Sequence, residues 1–332
     1  MDLICKPPVK DAKNVYLRIT GSKSETNRLL ILKALYPNLT IENGSDSDDS
    51  RYLAKVLESK DATLDIGHAG TAMRFGTAYF ATQEGIEITL TGSDRMKERP
   101  IGILVDALNS LGASVHYEGE TGFPPLRIIG KKITGGDLAI DASVSSQFLT
   151  ALLLVAPSFE KGLVLRLKGV LTSRPYLEMT VNMLEQLGVT TSWEVDKHTT
   201  TEIITVRPCE SLQVRSATVE SDWSSAGYWY SWTALQQPGF EMELSHYYEK
   251  SLQGDSKLAV IFKDLGVQTQ FLDGCIKLKK INMDMPAAME LDLTQEPDQA
   301  QTIFATCLGL GIDVHLTGLH TLKIKETDRI EA

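Results

Sequence analysis

"IEITLTGSDRMKERPIGILVDALNSLGASVHYE", residues 86–118, opens on an alternating apolar run, crosses a polar loop, continues at helical spacing and halts on Leu-Gly before a second strand-like run. Ile101, Leu104, Val105, Leu108 and Leu111 share one helical face. Pro100 suits the first helical position and Gly112 the cap. The same grammar returns in "LVLRLKGVLTSRPYLEMTVNMLEQLGVTTSWE" (163–194), with Pro175 and Gly188 in those two parts, and in "FEMELSHYYEKSLQGDSKLAVIFKDLGVQTQF" (240–271). Weaker versions at 39–67 and 314–332 bring the total to at least five related units. Their uneven spacing argues for subdomains packed around shared cores rather than an open solenoid. Generic α/β similarity is the competing reading.

Composition limits what such a chain can do. At 332 residues, with 42% hydrophobic and 23% charged, it is long enough for one large or two ordinary domains with real cores. No run of 18 or more apolar residues occurs, and "MDLICKPPVK" lacks the basic-then-apolar pattern of a signal peptide, so a cytoplasmic location with no membrane partner is expected. Cys5, Cys209, Cys275 and Cys307 show no C-x-x-C spacing and read as reduced thiols. The six histidines form no H-E-x-x-H pattern, and the net charge of −10 argues against nucleic acid as a partner.

The polar loops carry the chemistry. "GSKSETNR", 21–28, follows the strand-like Val15–Ile19 and precedes an apolar helical pattern at Leu29. It can be a plain helix cap. Lys23 and Arg28 are unhelpful cations beside a helix N-terminus, however, unless a ligand brings negative charge. "HAGTAMR", 68–74, repeats the idea with Gly70 for close backbone approach, a Thr71 hydroxyl, and Arg74 opening the next apolar stretch. "RMKERP", 95–100, packs Arg95, Lys97 and Arg99 before a helix start; a solvated basic turn is the alternative. "SVSSQF", 143–148, sets Ser145, Ser146 and Gln147 before the apolar helix 148–155, as a cap or as a phosphate cradle. "LTSRPY", 171–176, puts Ser173 ahead of a helix-starting proline. If the repeat aims these helix starts at a common cleft, the cleft is a multi-anion site whose local field outweighs the screened acidic average.

"GSKSETNR", "HAGTAMR", "RMKERPI", "SSQF", "TSRPY", "EPDQAQT" and "KIKETDR", in this order over nearly the whole chain, resemble the 5-enolpyruvylshikimate-3-phosphate synthase family. The resemblance implies an α/β fold of two inverted α/β-barrel domains, the enolpyruvyl transferase type, built from repeated βαβαββ units. The first domain would comprise 1–19 plus 221–332, with its third unit incomplete, and the second 20–220. It implies transfer of the enolpyruvyl group of phosphoenolpyruvate to the 5-hydroxyl of 3-phosphoshikimate with release of phosphate, with no metal and no organic cofactor. The implied partners are those two small molecules alone, and the implied state is a monomer.

Carried over by motif, Lys23, Ser24, Arg28, Ser145, Ser146, Gln147 and Ser173 would bind 3-phosphoshikimate, with Ser145, Ser146 and Ser173 holding its phosphate and Lys23 also counted among the catalytic residues. Lys23, Gly70, Arg99, Gln147 and Arg329 would bind phosphoenolpyruvate. Asp298 would take the proton of the 5-hydroxyl, Lys325 would steady that group, and Glu326 is the candidate for proton exchange at the methylene carbon. Such a transfer needs a base for the alcohol, an acid for the vinyl carbon and cations for the anions being joined. Taken singly, "Pro-Asp" is equally a helix cap, and Lys325 with Arg329 equally an exposed i, i+4 face. Gly70 further implies sensitivity to glyphosate, which in this family occupies the phosphoenolpyruvate site.

His68 and Thr321 stand where the family commonly has asparagine, and neither is carried over. The family pattern runs on past "KETDRIEA" through a basic motif and a late lysine that touch phosphoenolpyruvate. The resemblance thus implies a C-terminally truncated member. For a polypeptide ending at Ala332 the expectation is weakened 3-phosphoshikimate binding, poor phosphoenolpyruvate binding and little turnover. A noncatalytic phosphosugar-binding role is the rival reading. The sister enzyme acting on UDP-N-acetylglucosamine is disfavoured, because Lys23 is followed by Ser24 rather than asparagine.

Overall fold

In the first two quoted repeats the alternating run becomes a strand and the periodic run a helix, but the two flanking strands are not neighbours. Thr63–Asp65 pairs in parallel with Glu87–Thr91, which pairs antiparallel with Leu126–Ile129, which pairs antiparallel with Val115–Tyr117. Gly136–Asp141, Leu163–Lys168, Glu202–Val206 and Thr191–Val195 follow the same order, and so do Val15–Leu17, Glu241–Ser245, Cys275–Lys280 and Val267–Leu272. A parallel pair needs a crossover. Gly70–Ala81 and Ser146–Val155 supply it for the first two sheets, and Trp223–Ala234 precedes the second strand of the third. Each sheet with its helices is therefore a βαβαββ unit. Two further parallel pairs join Thr40–Glu42 to Ser216–Thr218 and Ala288–Asp292 to Asp313–Thr317, the latter bridged by the helix Ala300–Leu310.

The computed structural model describes residues 15–142, 145–169, 171, 174–197, 199, 201–320, 322 and 329–331. They form two compact units, Met1–Ile19 with Glu220–Ala332, and Thr20–Val219. The larger unit closes over a core that includes Leu29, Ile31, Phe75, Leu104 and Leu184. Every residue from Phe148 to Val155 is buried, all but Thr150 apolar, so that helix runs through the interior. The other unit is centred on Trp223, Tyr230, Tyr247, Phe262 and Leu278, with the Trp223 and Tyr247 rings edge-on at 4.9 Å.

Local expectations meet three corrections. The helix of the first repeat begins at Gly102, not Pro100: the Ile101 N–H donates to Gly122 O at 2.8 Å, and the Pro100 carbonyl accepts from Arg74 at 3.2 Å, so both are engaged outside the helix. Pro175 is the second residue of Arg174–Gln186 rather than the first. The third repeat keeps only a 3-10 turn, Gly254–Lys257, and one turn of helix, Leu258–Ile261. Gly112 and Gly188 do end their helices at φ 109° and 92°, where a side chain would be strained. Among the described residues no helix is long and apolar enough to cross a membrane, and no cluster of His, Cys, Asp or Glu could hold a metal ion.

Candidate active site

The helix Lys23–Leu35 starts inside "GSKSETNR": Ser22 is its cap, accepting from the Glu25 N–H, and Lys23 and Ser24 occupy its first turn, partly exposed. One turn on, Arg28 is 4% exposed. Its guanidinium donates to Ser24 O at 2.7 Å, Thr180 Oγ1 at 2.8 Å, Tyr176 O at 3.0 Å and Thr150 Oγ1 at 3.4 Å, and lies 5.8 and 5.9 Å from the Phe75 and Tyr176 ring centres. Thr150 belongs to Ser146–Val155, Tyr176 and Thr180 to Arg174–Gln186, and Phe75 to Gly70–Ala81. One buried cation thus ties together the N-terminal halves of four helices, all of which begin in loops singled out by sequence. Burial pulls this guanidinium down to about 10, with Tyr176 and Glu25 acting the other way.

A second arginine does the same for the glycine loop. Gly70–Ala81 begins with no side-chain cap, and its Arg74, also 4% exposed, donates to Gly70 O at 3.1 Å and Pro100 O at 3.2 Å. Arg74 sits 5.9 Å from the Phe148 ring centre, and its buried Nε has no acceptor among the described residues. The Arg99 guanidinium lies against the Gly70 Cα, so closely that a Cβ there would sit 2.4 Å from Nη1. Burial and then the charge of Arg99 lower Arg74 to about 9. Two cations at the positive end of an uncapped helix repel each other and the helix dipole, an arrangement that an incoming anion relieves.

The basic turn divides. Arg95 pairs with Glu98 at 2.8 Å and Lys97 with Asp94 at 3.2 Å, all largely exposed, which is the solvated-turn alternative. Arg99 alone of the three is turned to Gly70.

At the serine loop, Ser145 caps Ser146–Val155 by accepting from the Gln147 N–H at 3.3 Å. Ser145 is exposed, and Ser146 and Gln147 are half-buried. Cap and cradle are compatible here, because the first-turn N–H groups remain directed out of the helix. Exposed His68 packs edge-on against Tyr52 at 5.8 Å. Ser173, Thr321, Lys325 and Glu326 lie outside the described residues.

In the other unit, Asp298 sits on the 3-10 turn Pro297–Gln299 at the start of Ala300–Leu310 and is ion-paired with Arg329, Oδ1 to Nη1 at 2.9 Å. Both border a cleft of about 430 Å³ whose lining includes Tyr228, Ser231, Gln301 and Thr302. The structure therefore brings the expected base and one expected phosphoenolpyruvate ligand together.

Sequence reasoning did not assign a site role to Arg74, nor find Thr150, Tyr176 or Thr180. Arg74 had a signal: a lone cation in "GTAMRFGTAYFA" whose neighbours are nearly all buried. The others are ordinary helix residues until folding places them around Arg28.

The chain matches the EPSP synthase (3-phosphoshikimate 1-carboxyvinyltransferase) family over residues 53–332. It is 44% identical to the 3-phosphoshikimate 1-carboxyvinyltransferase of Bacteroides fragilis over 317 residues, spanning 95% of this chain and 75% of the relative. With the enzyme of that name from Shewanella loihica the identity is 37%, over 95% of this chain and 78% of the relative. The solved EPSP synthase of Acinetobacter baumannii superposes with a TM-score of 0.73 at 19% identity over 98% of this chain and 78% of that one, a likeness of fold. With the motif order, the βαβαββ units and the identity to these transferases in agreement, the chain belongs to the EPSP synthase family.

Proposed function

We infer that this chain transfers the enolpyruvyl group of phosphoenolpyruvate to the 5-hydroxyl of 3-phosphoshikimate and releases phosphate. In the balance of that reaction the hydroxyl loses its proton, a C–O bond forms to the enolpyruvyl carbon, and the C–O bond to phosphate breaks. The observation that carries the reading is the gathering of helix starts around Arg28, since it assembles the loops whose residue types suit a phosphorylated, carboxylated substrate.

Lys23, Ser24, Ser145, Ser146, Gln147 and Ser173 hold 3-phosphoshikimate, and Arg28 organises that seat from behind. Arg99, packed on Gly70, and Arg329 take the anionic groups of phosphoenolpyruvate, and Lys23 and Gln147 bind it as well. Asp298 accepts the hydroxyl proton. Its pairing with Arg329 gives the order of events a geometric basis: an anion that draws Arg329 away uncovers Asp298 Oδ1 for the hydroxyl. Lys325 steadies the hydroxyl and Glu326 exchanges the methylene proton. The enzyme so described works as a cytoplasmic monomer without a cofactor; a purified chain sedimenting as a dimer would contradict the monomer.

Phosphate release assayed with each substrate alone and with both tests the function. Release only with both present is expected; 3-phosphoshikimate binding by calorimetry without any release would favour the noncatalytic rival. Gly70→Ala sharpens it. The added Cβ displaces Arg99, so the KM for phosphoenolpyruvate should rise about tenfold and glyphosate inhibition should weaken, ~1.4 kcal/mol per tenfold. Equal inhibition of both forms would refute the steric account.

A further inference from the structure

Both flanks of the Asp298 turn are held from one place. Gln299, the next residue, is 1% exposed, and its Nε2 donates to Asp255 Oδ2 at 2.9 Å. Asp255, itself buried, accepts from Ser224 Oγ at the same oxygen. On the other flank, buried Glu296 accepts from Lys257 Nζ at 3.1 Å. Asp255 and Lys257 belong to the single 3-10 turn Gly254–Lys257, the shortened helix of the third repeat. That turn presents an acceptor to the amide and a cation to the acid, two residues apart, matched to the residues on either side of Pro297-Asp298.

Gly227, on the helix Trp223–Ala234, closes the arrangement from a third direction. A Cβ there would lie 2.4 Å from Gln299 Oε1, so no space is left for the amide to withdraw. Among the described residues buried Gln299 Oε1 has no hydrogen-bond partner, so the contact that orients the amide is the one its NH₂ group makes. A flipped amide would put Oε1 against the Asp255 carboxylate, which is tolerable only when that carboxyl is protonated.

We propose that the Gly254–Lys257 turn is the positioning element for Asp298, with Asp255 acting through Gln299 and Lys257 through Glu296. The proposal rests on Asp298 being the base of the transfer. Among the described residues the charged groups acting on Asp255 are Asp298 and Asp222, with Lys257 paired to Glu296 and Arg329 to Asp298. Burial foremost, with the charges of Asp298 and Asp222 adding to it, pushes the Asp255 carboxyl up to about 6. Above that pH the ionised carboxylate holds Gln299; below it the hold relaxes.

The test pairs kinetics with hydrogen exchange on Asp255→Asn and Gly227→Ala. The reporter is the Gln299 N–H, which donates to Glu296 O within the turn at 3.1 Å. In both variants that proton should exchange several-fold faster, and turnover at pH 7.5 should fall about tenfold with both KM values within twofold. Asp255→Asn alone should lose the limb of the turnover profile near pH 6. Should Gly227→Ala fail to fold, Lys257→Met, altering a half-exposed side chain, replaces it with the same expectation. Wild-type exchange in the variants overturns the proposal, and so does faster exchange with unchanged turnover. Asp298→Asn, run alongside, separates the two ideas: wild-type turnover there sinks the base assignment, while Gln299 exchange still decides whether the turn is clasped.

Discussion

Arg28 and Arg74, inside Thr20–Val219, are buried among hydroxyls, carbonyls and rings, whereas Arg329, in the other unit, is half-buried and paired with Asp298 at 2.9 Å. The first arrangement holds two buried cations among mostly neutral partners, with Glu25 the acid that acts on Arg28 and Arg99 a second cation beside Arg74. Under the proposed function it is a seat prepared for anions before they arrive. The second balances an acid with a base, and its charge becomes available only when the pair is parted. Binding calls for the first kind of order, proton transfer for the second.

Breaking the reactive side should have the largest effect. Asp298→Asn removes the proposed proton acceptor, keeps the shape, and should lower turnover about 10³-fold while 3-phosphoshikimate binding stays within a few-fold, as measured by steady-state kinetics and calorimetry. Near-normal turnover would remove Asp298 from the mechanism. Breaking the binding side at its hub comes next. Arg28→Met strips the shared donor from Ser24, Thr150, Tyr176 and Thr180, and should cost about 2–4 kcal/mol in chemical denaturation. Arg28→Lys should not restore stability, because an ammonium cannot reach four acceptors in a fixed fork.

A pH effect marks the reactive side as well. Asp255 has a folded-state value raised to about 6, above its ordinary value, so its contribution is intact below about pH 4 and is lost as pH rises through 6. Asp255→Asn should therefore raise the melting temperature at pH 7.5, by the equivalent of on the order of 1–3 kcal/mol, and change it little at pH 4. A variant equally stabilised at both pH values would contradict the assignment. The smallest effect belongs to the exposed pairs. Arg95→Ala and Lys97→Ala should each stay within about 0.5 kcal/mol of wild type and leave the KM for phosphoenolpyruvate unchanged, in contrast to Arg99→Ala.

The alternation of strand and helix was legible because periods of 2 and 3.6 are local properties, and so were the Leu-Gly stops, since a positive φ at Gly112 and Gly188 selects glycine. The placing of Leu126–Ile129 between the two strands of its repeat was not, nor the pairing of Val15–Leu17 with Glu241–Ser245 across the whole of Thr20–Val219, because long-range pairing leaves no periodic trace. Among site residues, motif order pointed to Lys23, Gly70 and Asp298 through a family likeness. The same likeness singled out Arg99 in "RMKERP", but the physical reason needed the fold, since the neighbours Glu98, Asp94 and Gly70 are what tell Arg95, Lys97 and Arg99 apart. The Asp298–Arg329 pair joins residues 31 apart, and the hold of Asp255 on Gln299 spans 44.

The division between a prepared anion seat and a reactive acid is tested most directly by titrating 3-phosphoshikimate calorimetrically into the wild-type chain, Asp298→Asn and Arg28→Lys under one buffer and salt condition. The account predicts binding to the first two with dissociation constants within a few-fold of each other, and at least tenfold weaker binding to Arg28→Lys. Loss of binding in Asp298→Asn with full binding in Arg28→Lys would contradict it.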